Sequence, residues 1–217
     1  MTYSIAARIE KTNELGVSVS TGANPAVGSV VPHVEEGVGA IATQAHTNFM
    51  HGINGLKLLK MGFSPQNALE LMLKEDPQRE RRQVIVIDKM GRTAAHTGRD
   101  IEGEFKGHII GKDYVVCGNI LTRMKVIEDM ASTYERTKGD LADRLLAVLE
   151  AGQAAGGDTA GRRTAAILVK RVPHYTSIRP FIDLRVDDSK DAVTELRRIY
   201  ENYKIALKEM MKTDQKR

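Results

Sequence analysis

The sequence predicts a layered α+β domain in which antiparallel sheets carry helices on their outer faces. Its segments come in groups: strands, a helix pair, strands, a second helix pair, strands and a last helix. Grouping of this kind argues against alternating βαβ units around a parallel sheet. The first two strand segments are joined by only five polar residues, 10–14, which is hairpin spacing. The 217 residues are 41% hydrophobic, enough to bury one sizeable core. A single domain over 1–217 is therefore expected, with 192–217 as a terminal helix and basic tail.

Residues 2–9 and 15–21 are rich in β-branched side chains. The second run alternates, with Val17 and Val19 toward one face and Gly16, Ser18 and Ser20 toward the other. GANPAVG at 22–28 is turn-rich, VVPHV at 30–34 reads as a short extended piece, and EEG at 35–37 as a turn. VGAIATQA at 38–45 is expected to be a buried strand, its small residues allowing close approach to the backbone. From Gly52 the period becomes helical, through Ile53, Leu56, Leu58 and Leu59, and Gly62 stands near the expected C-cap. Ser64 and Pro65 open the next helix as N-cap and first residue, and Asp76-Pro77 ends it. Residues 82–88 and 93–97 form a hairpin, 98–106 a loop, and 108–110 and 113–117 extended pieces. Helices follow at 124–136 and 141–151, then a Gly-rich stretch at 152–161. Strands TAAILVKR at 164–171 and FIDLRV at 181–186 precede a helix from Ala192 to the neighbourhood of Met211.

Composition excludes several function classes. No run approaches the ~18 apolar residues a membrane span needs. The N-terminus lacks the basic and apolar regions of a secretory signal. The single cysteine, Cys117, permits no intrachain disulfide and fits a buried hydrophobe in a reducing cytoplasm. Net charge is only +4, aromatics are 5% and Trp is absent, so a nucleic-acid surface is not expected. Lys204, Lys208, Lys212 and Lys216 recur every fourth residue, as on a solvated helix face.

Cofactor and metal motifs also fail on inspection. GVGAIA at 37–42 matches a dinucleotide pattern, but its glycines enter a strand instead of leaving one. GGDTAGRRT at 156–164 lacks the P-loop lysine and runs from helix to strand. The histidines at 33, 46, 51, 96, 108 and 174 form no paired ligand spacing. Neither a cofactor nor a metal is expected.

Thr2 directly follows the initiator Met. Removal of Met1, which the small Thr side chain favours, would leave a hydroxyl and a free amine on one residue. An α-amine with a pKa of about 7.7–8.0 can take the hydroxyl proton near neutral pH. Short polar pieces recur at strand ends: Thr43-Gln44, Thr47-Asn48, Arg82-Gln83, His96-Thr97-Gly98, Gly118-Asn119 and Gly157-Asp158. Such groups suit a pocket for a small polar molecule. Taken singly, each also serves as a turn cap.

The segments TYSIAAR, VGSVVP, VGAIATQAHTN and GLKLLKMGFSPQNALELMLKEDP resemble a bacterial and archaeal family, domain of unknown function 1028. RRQVIVIDKMGRTAAHTG, GNIL, AGGDTAGRRTAAILV and IDLRVDD continue the likeness to the start of the last helix. That family is similar in fold to the N-terminal nucleophile hydrolases, which implies a four-layer αββα sandwich. The resemblance further implies Thr2 as nucleophile, its amine as base, and oxyanion donors among backbone groups near Thr43 and Gln44. Arg163-Thr164 stand where the family usually has Gln-Ser. Residues 99–107 lack its usual Cys and Trp, and Gly28-Ser29 occupy the place of the activating Lys of proteasome-type members.

The leading expectation is a hydrolase of amide-type C–N bonds in a small molecule. Thr2 is catalytic, and Thr43, Gln44, Asn48, His96, Asn119 and Asp158 bind substrate or oxyanion. The rival is a non-catalytic small-molecule binding or regulatory protein on the same scaffold. A homodimer is expected through the last helix, where Leu196, Ile199, Tyr200, Tyr203, Ile205 and Leu207 exceed one core-facing stripe.

Overall fold

The computed structural model describes residues 1–171 and 182–214. His174, Phe181, Lys216 and Arg217, named above, lie outside the described residues. The chain begins in β1 (Thr2–Ile9) and returns through a short 3-10 turn into β2 (Glu14–Thr21). Strands β3 (Pro32–Glu35) and β4 (Gly39–Ala45) lead to helices α1 (Phe49–Lys60) and α2 (Pro65–Lys74). Next come β5 (Arg82–Asp88), β6 (Thr93–Thr97), β7 (Phe105–Gly111) and β8 (Tyr114–Leu121). Helices α3 (Lys125–Arg136) and α4 (Leu141–Ala154), strands β9 (Thr164–Arg171) and β10 (Ile182–Val186), and helix α5 (Ala192–Asp214) complete the order.

Two departures from the sequence reading have local causes. Helix α1 starts at Phe49 and not Gly52, because the Asn48 side chain accepts from Met50 N and caps it. Strands β7 and β8 are longer than the pieces expected at 108–110 and 113–117. Strand β8 runs on through Gly118 and Asn119 because β1 pairs with it along its length, Thr2 opposite Asn119. Ladder hydrogen bonds there override the weak strand propensity of Gly and Asn.

The ten strands among the described residues form two sheets. One has six strands in the order β10-β9-β2-β1-β8-β7, the other four in the order β3-β4-β5-β6. Neighbouring strands are antiparallel throughout. Alternation along the strands divides the apolar residues into three layers of contact. Ala6, Val17, Val19, Ala42, Ile85, Val115 and Cys117 fill the space between the sheets. Tyr3, Ile5 and Val116 face outward onto α3, α4 and α5 with Met130, Leu145, Leu149 and Leu196. Ile41, Val84 and Val86 face the other way, onto Leu59, Leu69 and Met72 of α1 and α2. The layer order is therefore αββα, as the resemblance implied. Each fully buried Val, Leu or Ile contributes about 1.5–3 kcal/mol, so all three layers matter to stability.

The small outward face of β2 has a use. A Cβ on Gly16 would lie 2.8 Å from Leu145 Cδ1, so the glycine lets α4 pack tightly. Ser18 Oγ then donates to Leu145 O at 3.0 Å. Helix α5 covers its own domain: Leu196 and Tyr200 are buried, and Ile199 and Tyr203 pack against the same cluster. The surplus apolar surface read into this helix is thus largely spent on its own sheet, with Ile205 left exposed. Among the described residues, no helix is long and apolar enough to cross a membrane.

Candidate functional site

Thr2 heads β1, a central strand of the six-stranded sheet, and is buried at 7% exposure. Its period puts Thr2 and Ser4 on the face that meets the other sheet, while Tyr3 and Ile5 face the helices. Opposite Thr2 on β8 is Asn119, and opposite Ser4 is Cys117. Directly facing residues of an antiparallel pair have Cβ atoms about 4.5–5.5 Å apart, so Thr2 and Asn119 are side-chain neighbours. From the four-stranded sheet, Gln44 of β4 and Gln83 of β5 stand in register with each other and reach across.

These side chains form one directed hydrogen-bond network. The two protons of Gln83 Nε2 are shared among three acceptors, Gly118 O at 2.9 Å, Gly107 O at 3.0 Å and Thr97 Oγ1 at 3.0 Å. Two of these partners are carbonyls, which only accept, so the orientation of the Gln83 amide is fixed. Its Oε1 must then face inward, and it accepts from Gln44 Nε2 at 2.7 Å and Asn119 Nδ2 at 2.9 Å. Gln44 Nε2 also reaches Thr2 O at 3.4 Å, and Ser4 Oγ donates to Gln44 Oε1 at 2.8 Å. Asn119, turned by Gln83, is left with a buried Oδ1 that has no hydrogen-bond partner among the described residues. An orphan acceptor of this kind costs stability, about 1–3 kcal/mol, unless something binds to it.

The rim of the site is built from glycine-rich turns. Asp158 is buried, and its Oδ2 accepts from Gly22 N at 2.7 Å and Thr21 Oγ1 at 3.1 Å. The Thr2 hydroxyl donates to Met1 O, and the single Thr21 hydroxyl proton has both Met1 O and Asp158 Oδ2 within reach. Burial lowers the pKa of the Met1 amine, against the opposing pull of the Asp158 and Glu102 carboxylates. Ile120, next to Asn119, has φ of 52°, a strained conformation for a β-branched residue. Backbone strain of this kind collects at functional sites. Cys117 is inert here, since burial pushes its thiol up to about 12.

The expected site residues fall into two groups. Thr2, Gln44 and Asn119 meet between the sheets, with Asp158 at the rim. Thr43, Asn48 and His96 do not join them. Thr43 and His96 lie on the helix-facing side of the four-stranded sheet, His96 beside Val84 and Thr43 bonded to Asn48 O at 3.1 Å. His96 Nε2 sits 2.8 Å from Arg79 O, a structural contact. Asn48 is the α1 cap and donates to Asp76 Oδ2 at 3.0 Å. Of the backbone groups near Thr43 and Gln44 expected to supply oxyanion donors, the Thr43 N–H is bonded to Val31 O at 3.2 Å. In each strand the misplaced residue is one position out of phase with an inward neighbour, Gln44 or Thr97.

The sequence places Gln83 among the polar pieces suited to a pocket, but neither Gln83 nor Ser4 stood among the expected site residues. Both carried a signal: Ser4 shares the face of Thr2 by period, and Gln83 is the polar inward position of an otherwise apolar strand. Among the described residues, no group of three or more His, Cys, Asp or Glu side chains could hold a metal ion.

The sequence matches the model of a family of unknown function, DUF1028, over residues 2–196. A crystal structure of a DUF1028 protein from Silicibacter pomeroyi is 29% identical and superimposes with a TM-score of 0.84. That alignment covers 93% of this chain and 85% of the other. Anbu, the ancestral beta-subunit from Yersinia bercovieri, aligns at 9% identity and a TM-score of 0.42, over 94% of this chain and 96% of that one. No curated protein matches the chain.

Proposed function

This chain belongs to the DUF1028 family, and from that premise we propose that it hydrolyses an amide-type C–N bond of a small polar molecule, with Thr2 as N-terminal nucleophile. The observation that carries the reading is a buried Thr at the head of a central strand, beside an amide oxygen left without a hydrogen-bond partner among the described residues. The chemistry requires removal of Met1, because an acylated nitrogen is not basic. The free Thr2 amine then takes the hydroxyl proton, and Oγ1 attacks the substrate carbonyl carbon. The amine returns the proton to the leaving nitrogen, and water hydrolyses the resulting ester.

In this scheme Asn119 Oδ1 accepts from the Thr2 amine and holds its lone pair toward the hydroxyl. Gln44 Nε2 holds Gln83 Oε1 at 2.7 Å and Thr2 O at only 3.4 Å, so its second proton is the one that turns to the oxyanion in exchange for the weaker bond. Loss of one such donor typically costs about 10²–10³ in rate.

One observation favours a second reading, a binding protein without catalysis. At the place of the proteasome-type lysine stand Gly28, where a Cβ would lie 2.7 Å from Ala166 Cβ, and Ser29, whose hydroxyl is turned onto Ala26 O, so neither supplies an activating amine. A β-lactone probe separates the two readings. Protein freed of Met1 should be acylated at Thr2, and Thr2→Ala should take no label. Equal labelling of the Ala variant, or none of the Met1-free protein, would overturn the hydrolase reading.

A further inference from the structure

The outer face of the α1–α2 layer is unusually apolar. Of ten large hydrophobic side chains exposed among the described residues, five lie on these helices or their connection: Phe49, Met50, Met61, Phe63 and Leu71. Met61 is 73% exposed, where an ordinary surface would carry a polar residue. Between the helices runs an open groove of ≈ 570 Å³, with Met50, Leu58, Leu71 and Met72 on its walls. Contiguous apolar patches beyond a few hundred Å² mark interaction sites. Methionines suit them, because their unbranched chains adapt to a partner surface.

The charges on this groove are self-complementary. Lys57 stands on the α1 wall and Glu75 just past the end of α2, both exposed. Among the described residues neither is held in an ion pair, unlike Lys60 on the same helix, which pairs with Glu35. A twofold axis requires that residue i meets j while j meets i. Two copies facing each other across the groove satisfy this, since α1 of each then lies against α2 of the other. We propose that the α1–α2 layer is the interface with a second copy of this chain. Lys57 of each copy meets Glu75 of the other, and Met50 and Leu71 close over the shared groove. The interface is independent of the chemistry at Thr2, which lies beyond the opposite face of the four-stranded sheet.

Light scattering at micromolar concentration tests the proposal. The wild type should show twice the 23.9 kDa chain mass. Leu71→Arg, Lys57→Glu and Glu75→Lys should each shift it to the single-chain mass, with unchanged circular dichroism. The double variant Lys57→Glu/Glu75→Lys should recover the dimer, which a merely unfolded or sticky variant would not. Ile205→Glu, on the exposed face of α5, should leave the dimer intact. A wild type at 23.9 kDa overturns the proposal, as does a dimer that survives both Leu71→Arg and Lys57→Glu.

Discussion

Gln83 is fully buried with five polar partners within hydrogen-bond reach of its amide, and its orientation decides which way Asn119 and Gln44 present their amides. Gln83→Leu keeps the volume and strands several buried polar partners, each costing about 1–3 kcal/mol. Urea unfolding should show a loss of about 3 kcal/mol or more, and a loss under about 1 kcal/mol would contradict the network. Thr2→Ala removes only a hydroxyl and a methyl, so it should abolish turnover and labelling while leaving the melting temperature nearly unchanged. Asp76 gives a pH-dependent case. Burial alone would raise its pKa, but donation from Arg82, Asn48 and Gln78 N holds it well below the usual carboxylate range. Its folded pKa is depressed, so the stabilisation is complete above the unfolded value of about 3.9 and is lost as pH falls further. Thermal melts should therefore drop steeply below that pH in wild type and less steeply in Asp76→Asn. Identical slopes would remove Asp76 from the account. Residue by residue, the inward set was readable from a period of two starting at Thr2. Thr43 and His96 misled because a polar type was noted without its phase, and one position along a strand is the other face.

At the scale of elements, strand and helix boundaries followed from periodicity where packing agreed with propensity, as in α2 and β5. They failed where pairing decided, as in β8, whose Gly-Asn end is held by β1 and β7. The turn after β2 shows a constraint no period reveals. A Cβ on Gly22 would sit 2.4 Å from the Ala160 carbonyl carbon and from Gly161 N, and Gly22 N holds Asp158 Oδ2. Backbone cannot yield there as a flexible side chain would. Gly22→Ala should displace the 158–161 turn, costing about 1–3 kcal/mol in chemical denaturation. It should also impair any activity at Thr2 more than Gly139→Ala, where a Cβ meets no neighbour and the cost is the backbone strain of a φ of 116° between α3 and α4. Equal effects of the two substitutions would mean that the turn does not shape the site.

For the whole molecule, the grouping of strands and helices in the chain announced a layered α+β fold. It did not announce which strands share a sheet, because β1 pairs with β8 across more than a hundred residues. The pairing brings Thr2 to Asn119 and then, across the sandwich, to Gln44 and Gln83, so the site exists only once both sheets have closed. Helix α5 looked too apolar for one face, and its apolar side chains spread over β9, β10 and α4, while α1, α2 and their connection carry more of the exposed apolar side chains. The central claim concerns the first peptide bond. Intact mass of the protein purified from its native host tests it most directly: the account predicts a chain beginning at Thr2, short by one methionine. A mass that retains Met1 in the mature protein would leave Thr2 without a basic amine and would contradict the mechanism.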